Sequence, residues 1–186
     1  MPKALRLPFT FDPSALKADL LKLAPGEWVP HFNPQYYEGD WSGVSLRSIG
    51  GAAAQLFADP SRARDYEDTP VLERCAYFRQ VAAVFECPLE TVRLLRLGPG
   101  SRVREHSDFD LGRRFGIVRV HVPVVTGPGV EFFLGGERLW MGEGECWYLD
   151  LSLPHRVENS GAAERVHMVL DCVVNEWLES LVGWRS

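Results

Sequence analysis

Between residues 91 and 174 apolar positions come in short runs, several alternating with polar ones and all separated by turn residues. That is the pattern of β-strands. The runs are Thr91–Leu97, Gly116–Val125, Val130–Leu134, Glu137–Met141, Glu145–Leu149 and Arg165–Val174. Gly135-Gly136 lies between two of them and is a two-residue hairpin signal. The first half is mixed. Asp12-Pro13 supplies a cap and a first-turn proline, and Leu16, Leu20 and Leu23 recur at helical spacing until Pro25-Gly26. Val44–Arg47 alternates like a strand. Thr69-Pro70 opens a second helix with Leu72, Cys75, Val81 and Phe85 as its apolar stripe, and Asn175–Val182 reads as a short closing helix. The expectation is a mainly β fold with flanking helices: a closed double-sheet barrel of the jelly-roll or cupin kind, with helices outside one sheet.

A length of 186 residues suits one domain over 1–186. Within it, 1–90 is expected to be a mostly helical flank with early strands, 91–174 the barrel core and 175–186 a C-terminal helix. Hydrophobic content of 46% and charged content of 24% are ordinary for a soluble protein. A net charge of -5 argues against a nucleic-acid partner. No apolar stretch is long enough for a signal peptide or a membrane span. Cys75, Cys87, Cys146 and Cys172 are dispersed without a CxxC pair, which suits a reducing, cytoplasmic setting.

The chemistry concentrates in His106-Ser107-Asp108 and in His155, about fifty residues later. Alone, the tripeptide also fits a surface turn. It follows the strand Thr91–Leu97 and the turn Gly98-Pro99-Gly100, so it sits where the chain is about to enter another strand. Two imidazoles and one carboxylate can hold Fe(II) on one face and leave the other open to substrate and oxygen. Asp110 is a rival ligand, but the His-x-carboxylate spacing selects Asp108. Arg165, at the head of an apolar strand, suits the far carboxylate of a bound dicarboxylic acid, because a buried guanidinium needs an anionic partner. These residues point to an iron-dependent oxygenase.

Strand parity adds to the site. Ile117, Arg119 and His121 share one face, with Val118, Val120 and Val122 on the other. If the first face lines the barrel, Arg119 and His121 enter the same cavity as the metal. Arg165, His167 and Val169 likewise share a face, with His167 read as a structural partner. His31 reads as a structural or loop residue near the pocket, and Asp150, Asp171 and Glu105 as turn or surface acids. Arg102, Arg104, Arg113 and Arg114 are solvated loop charges or recognise an acidic substrate at the pocket mouth. Arg47, Arg93, Arg102 and Arg104 each remain open as readers of a substrate carboxylate. Trp147, Tyr148, Phe109 and Phe115 are wall candidates, or ordinary core.

From Val92 to Asn175 the chain resembles the aspartyl/asparaginyl β-hydroxylase family of Fe(II)- and 2-oxoglutarate-dependent dioxygenases. The stretches that carry the resemblance are 96–100 (RLGPG), 104–108 (REHSD), 118–123 (VRVHVP), 144–155 (GECWYLDLSLPH) and 165–171 (RVHMVLD). The resemblance implies a double-stranded β-helix with iron held by His106, Asp108 and His155. It implies 2-oxoglutarate gripped by Arg165 and helped by Arg119 and His121, with O₂ as oxidant and ascorbate as a stimulant. Animal peptide-hydroxylating members lack the metal carboxylate, whereas Asp108 is present here, so the chain is more similar to the bacterial branch, which includes hydroxylases of free proline. The implied reaction is hydroxylation of an unactivated C–H of a free amino acid or related small acid. A peptidyl aspartyl or asparaginyl side chain is the alternative substrate. A cupin-type metal isomerase or lyase that uses no O₂, and a non-catalytic binding module, are the rival readings.

Overall fold

The computed structural model describes residues 2–57 and 65–184. In chain order the elements are β1 (Ala4–Thr10), α1 (Pro13–Leu20), β2 (Val29–Pro30), β3 (Tyr37–Glu38), β4 (Trp41–Ile49), β5 (Tyr66–Asp68), α2 (Pro70–Arg74) and α3 (Ala76–Ala83). There follow β6 (Leu89–Leu97), β7 (Ser101–His106), β8 (Ile117–Val125), β9 (Val130–Leu134), β10 (Glu137–Leu139), β11 (Glu145–Leu149), β12 (His155–Asn159), β13 (Arg165–Val173) and α4 (Glu176–Val182). The strands form two antiparallel sheets. The large one runs β1-β11-β8-β13-β6-β4-β2, with β5 on β4, and the small one runs β10-β9-β12-β7-β3. This is the expected mainly β, jelly-roll architecture.

Period-two patterning decides which way each strand faces. On β8, Val118, Val120 and Val122 join Val166, Met168 and Leu170 of β13 in the core beneath Leu16, Leu72, Phe78 and Leu178 of the helices. The helices therefore cover the outer face of the large sheet, where burial of these side chains contributes on the order of 1.5–3 kcal/mol each. A second cluster fills the space between the sheets, with Trp41, Leu95, Leu97, Phe132, Val157 and Val169 among its members. The Gly135-Gly136 hairpin forms as predicted. Both glycines have positive φ (55° and 79°), and Leu134 pairs with Glu137.

Six strands go beyond the runs read from the sequence: β1, the short β2, β3 and β5, and β7 and β12. β1 adds to the large sheet by pairing with β11. β7 and β12 pair with each other at the centre of the small sheet. The tripeptide therefore does not lie between strands, because His106 is the last residue of β7. The helix expected from Thr69 is split at Cys75 (φ -105°, ψ 77°). Its break is satisfied by the buried carboxylate of Asp19 on α1, which accepts from the backbone N–H of Tyr77 (2.7 Å) and Phe78 (2.9 Å). The closing helix ends at a left-handed Gly183, and the 185–186 part of the expected C-terminal helix lies outside the described residues. Among the described residues no helix is long and apolar enough to cross a membrane.

Candidate metal centre and its cavity

β7 and β12 are antiparallel neighbours, and His106 and His155 are paired positions in their ladder. Their rings are 4.3 Å apart between centroids. Asp108 follows two residues after β7, and its backbone N–H is held by the Leu151 carbonyl at 2.9 Å. One ligand atom from each of His106, Asp108 and His155 lies within 4.8 Å of the others. The Nδ1 of His106 is 2.8 Å from the Arg104 carbonyl oxygen, and that of His155 is 3.0 Å from the Leu153 carbonyl oxygen. A carbonyl oxygen only accepts, so each Nδ1 carries the proton and each Nε2 keeps its lone pair for a metal. Burial lowers the His155 pKa, which also favours the neutral ligand form. The donor set fits a single divalent ion with a preference for imidazole and oxygen.

Arg119 Nη1 donates to Asp108 Oδ2 at 2.6 Å, while Oδ1 lies 3.7 Å from His106 Nε2. One carboxylate oxygen is thus held by a guanidinium and the other faces the imidazoles. On its far side Arg119 meets Asp171, from Nε at 2.6 Å and Nη2 at 3.0 Å. Asp171 also accepts from Thr91 Oγ1 (2.5 Å) and Arg93 Nη2 (2.7 Å). The sequence reading of Asp171 as a turn or surface acid is corrected: it is 1% exposed, in the middle of β13. The alternation Arg165, His167, Val169, Asp171 was the available signal. Burial alone would raise its pKa, but Arg119 and Arg93 hold it well below the usual carboxylate range. Burial alone would lower that of Arg119, but Asp171 and Asp108 raise it above the usual arginine range.

The other end of the polar wall is built differently. Arg165 is 4% exposed and has no carboxylate within 4.0 Å among the described residues. Its Nη2 donates to His167 Nδ1 at 2.9 Å, and its Nε has no partner. Burial pushes its pKa down to about 9. His121 Nδ1 sits 3.2 Å from His167 Nδ1, and His121 Nε2 is buried without a partner. Burial, together with Arg165, drives the pKa values of both histidines well below the ordinary imidazole range. Buried polar atoms are ordinarily satisfied, so the unpaired Nε–H of Arg165, a donor on an uncompensated cation, fits an incoming anion with several acceptor oxygens.

These groups line one cavity of about 600 Å³ that contains the His106–Asp108–His155 cluster, Arg119, His121, Arg165, Arg93 and Asp171. Arg93, left open by the sequence, is in this wall. Arg47 instead bonds Asp68 and two backbone carbonyls, Arg102 and Arg104 pair with Glu38, and Arg113 pairs with Glu179. None of these four, nor Arg114, lines the cavity, so the arginine cluster does not guard its mouth. Of the proposed aromatic wall, Phe109 lines the cavity. Tyr148 is on the helix-covered side against Trp184, and Trp147 donates to Glu145. The aromatic wall comes instead from Phe32, Tyr36, Trp41, Phe57 and Phe132, together with His31. Asp110 joins neither the cluster nor a core. It lies at the cavity with φ 67°, the one positive value among described non-glycine residues.

Fold and site together define a double-stranded β-helix with a two-histidine, one-carboxylate cluster between its sheets. The chain belongs to the aspartyl/asparaginyl β-hydroxylase family, whose sequence profile matches residues 12–174. It is 25% identical over 175 residues to an L-proline cis-4-hydroxylase of Rhizobium meliloti (strain 1021), a match covering 92% of this chain and 61% of that protein. The chain thus spans about three fifths of that relative's length. Among solved structures, the non-heme alpha ketoglutarate dependent epimerase SnoN from nogalamycin biosynthesis superposes with a TM-score of 0.60 at 16% identity, over 99% of this chain and 87% of that one. A 2OG-Fe(II) oxygenase family oxidoreductase from Burkholderia pseudomallei gives 0.57 at 15% identity, over 92% and 85%. At such identities the likeness is one of fold.

Proposed function

We propose that this protein is an Fe(II)- and 2-oxoglutarate-dependent dioxygenase that hydroxylates an unactivated C–H of a free amino acid or related small acid. The observation that carries the reading is the convergence of His106, Asp108 and His155 within 4.8 Å, in the same cavity as a buried Arg165 that has no acid partner among the described residues. A cupin metalloprotein without a dicarboxylate cosubstrate has no use for that cation. The relative named L-proline cis-4-hydroxylase supports a free amino acid over a peptidyl side chain. Four buried free cysteines fit a reducing cytoplasm.

The chemistry supplied when metal, cosubstrate and O₂ are bound is oxidative decarboxylation of 2-oxoglutarate to succinate and CO₂, with the second oxygen atom inserted into the substrate C–H. The protein's part is placement. Carbonyl contacts at Nδ1 of His106 and His155 fix both rings with Nε2 inward. Arg119 keeps one oxygen of Asp108 engaged and so orients the other toward the imidazoles. Arg165 holds the far carboxylate of the cosubstrate, and His121 presents an unpaired nitrogen in the same wall. Leu111, Leu151 and Phe132 limit water around the reacting atoms.

The test is succinate formation by purified protein with Fe(II), ascorbate and 2-oxoglutarate, alongside a mass screen of amino acids and short peptides for the gain of one oxygen. Turnover is expected with a free amino acid, and His106→Ala or Asp108→Ala is expected to reduce it by about a thousandfold or more. Turnover that survives chelation of iron and both substitutions would end the dioxygenase reading. Oxygen gain on peptides alone would replace the free amino acid with a peptidyl substrate.

A further inference from the structure

Away from Arg119, Asp171 and Arg165 the cavity wall is largely aromatic. His31 is stacked between Trp41 and Phe32, with ring centroids at 3.5 Å and 4.3 Å. Tyr36 lies against the His106 ring at 4.8 Å. Phe57 meets Phe32 edge-on at 5.6 Å. Phe32 and Phe57 are 55% and 45% exposed, although they touch each other beside a cavity. Burial and the nearby charges of Arg93 and Arg119 push the His31 pKa down to about 3, so the stack is uncharged at neutral pH. Exposed aromatic rings grouped at the rim of a pocket mark a place where an apolar group is covered.

Size points the same way. The cavity of about 600 Å³ falls well inside the range of roughly 300–1,000 Å³ that encloses drug-sized ligands. A small dicarboxylate and a free imino acid are each far below that size, and neither has the apolar area to cover Phe32 and Phe57. The polar groups gather around Arg119, Asp171 and Arg165, where a cosubstrate and the acid end of a substrate find partners. What remains is wall faced by aromatic rings, against which another ring gains by stacked or edge-on contact.

We propose that His31, Phe32, Tyr36, Trp41 and Phe57 form a substrate subsite, and that the acid hydroxylated here carries an aromatic or comparably bulky apolar group. This deepens the hydroxylase reading above and rests on it. The test is calorimetric titration of protein loaded with Fe(II) and 2-oxoglutarate under nitrogen, using L-proline, L-phenylalanine and N-benzoyl-L-proline. At least one ring-bearing acid is expected to bind at least about tenfold more tightly than L-proline, as burial of one ring predicts. Phe32→Ala and Phe57→Ala are each expected to cut that preference threefold or more, and the double substitution to remove it. Both side chains are exposed, so the fold tolerates their loss, and the ligand series on the unaltered protein needs no variant.

L-proline binding as tightly as both ring-bearing acids would overturn the subsite, as would a preference that survives the double substitution. A ring-bearing peptide that binds tenfold better than N-benzoyl-L-proline would overturn the small-acid assignment. The preceding titration of 2-oxoglutarate separates the two levels. If 2-oxoglutarate does not bind, the dioxygenase reading fails, and the aromatic preference is then judged from the same three ligands on protein without cosubstrate.

Discussion

Two buried guanidiniums face the same cavity under opposite electrostatic conditions. Arg119 lies between Asp108 and Asp171, each within 2.6 Å, and those charges strengthen its protonated form. Among the described residues Arg165 has the neutral His167 as its one hydrogen-bond partner, and burial weakens its protonated form to a pKa of about 9. The first cation completes the folded protein, because it neutralises a buried acid and orients Asp108. The second carries a desolvation penalty that no residue of the described chain offsets. A charge kept under those conditions is matched to something that arrives later. The difference separates structure from recognition more clearly than burial does, since both groups are largely buried.

The largest effect is expected on the compensated side. Asp171→Asn leaves Arg93 and Arg119 buried without their shared carboxylate, and urea unfolding is expected to show a loss of about 3–5 kcal/mol. If stability is unchanged, the assignment of this cluster as a structural one is wrong. Arg165→Met acts in the opposite sense. Without 2-oxoglutarate its unfolding free energy is expected to match or exceed that of the unaltered protein, because an uncompensated charge has gone. The Kd for 2-oxoglutarate is expected to rise by about ten- to a hundredfold, the equivalent of roughly 1.5–3 kcal/mol of charged hydrogen bonding. Equal 2-oxoglutarate affinity in the two proteins would erase the contrast.

A further contrast is in pH. His121 and His167 have pKa values depressed below the ordinary imidazole value of about 6.5. Their contribution is complete above that pH and is lost as pH falls, because the unfolded chain takes up protons that the folded one refuses. Between pH 7 and 5 the unfolding free energy is expected to drop by up to about 1.4 kcal/mol per pH unit for each histidine. Asp171, also depressed, adds its own loss only below about pH 4. His167→Asn is expected to flatten the slope between pH 7 and 5, and a slope that does not change would mean that His167 titrates normally.

The cluster was legible in the sequence because His-x-Asp places two candidate ligands by spacing, and strand parity put Arg119 and His121 on one face. Asp171 was not. An aspartate is seldom buried unless paired, and its partners Arg93 and Arg119 come from β6 and β8, joined only by the sheet. β7 was hidden for a related reason: Arg102 and Arg104 give it a charged outward face, paired with Glu38 on β3. The aromatic wall has no periodic signal, because His31 and Phe32 lie in irregular chain and Tyr36 ends a single 3-10 turn, Pro34–Tyr36. Apart from the neighbours His31 and Phe32, their ring contacts come from tertiary packing.

The two sheets also divide the labour. His106 and His155 come from the small sheet, whereas Arg93, Arg119, His121, Arg165 and Asp171 all come from the large, helix-backed one. The candidate ion ligands and the candidate anion-binding groups therefore come from separate sheets that face each other across the cavity. Substitutions that retune one half have a route to a new chemistry that leaves the other half undisturbed, and Arg119, reaching over to Asp108, is the one clasp such a drift must preserve.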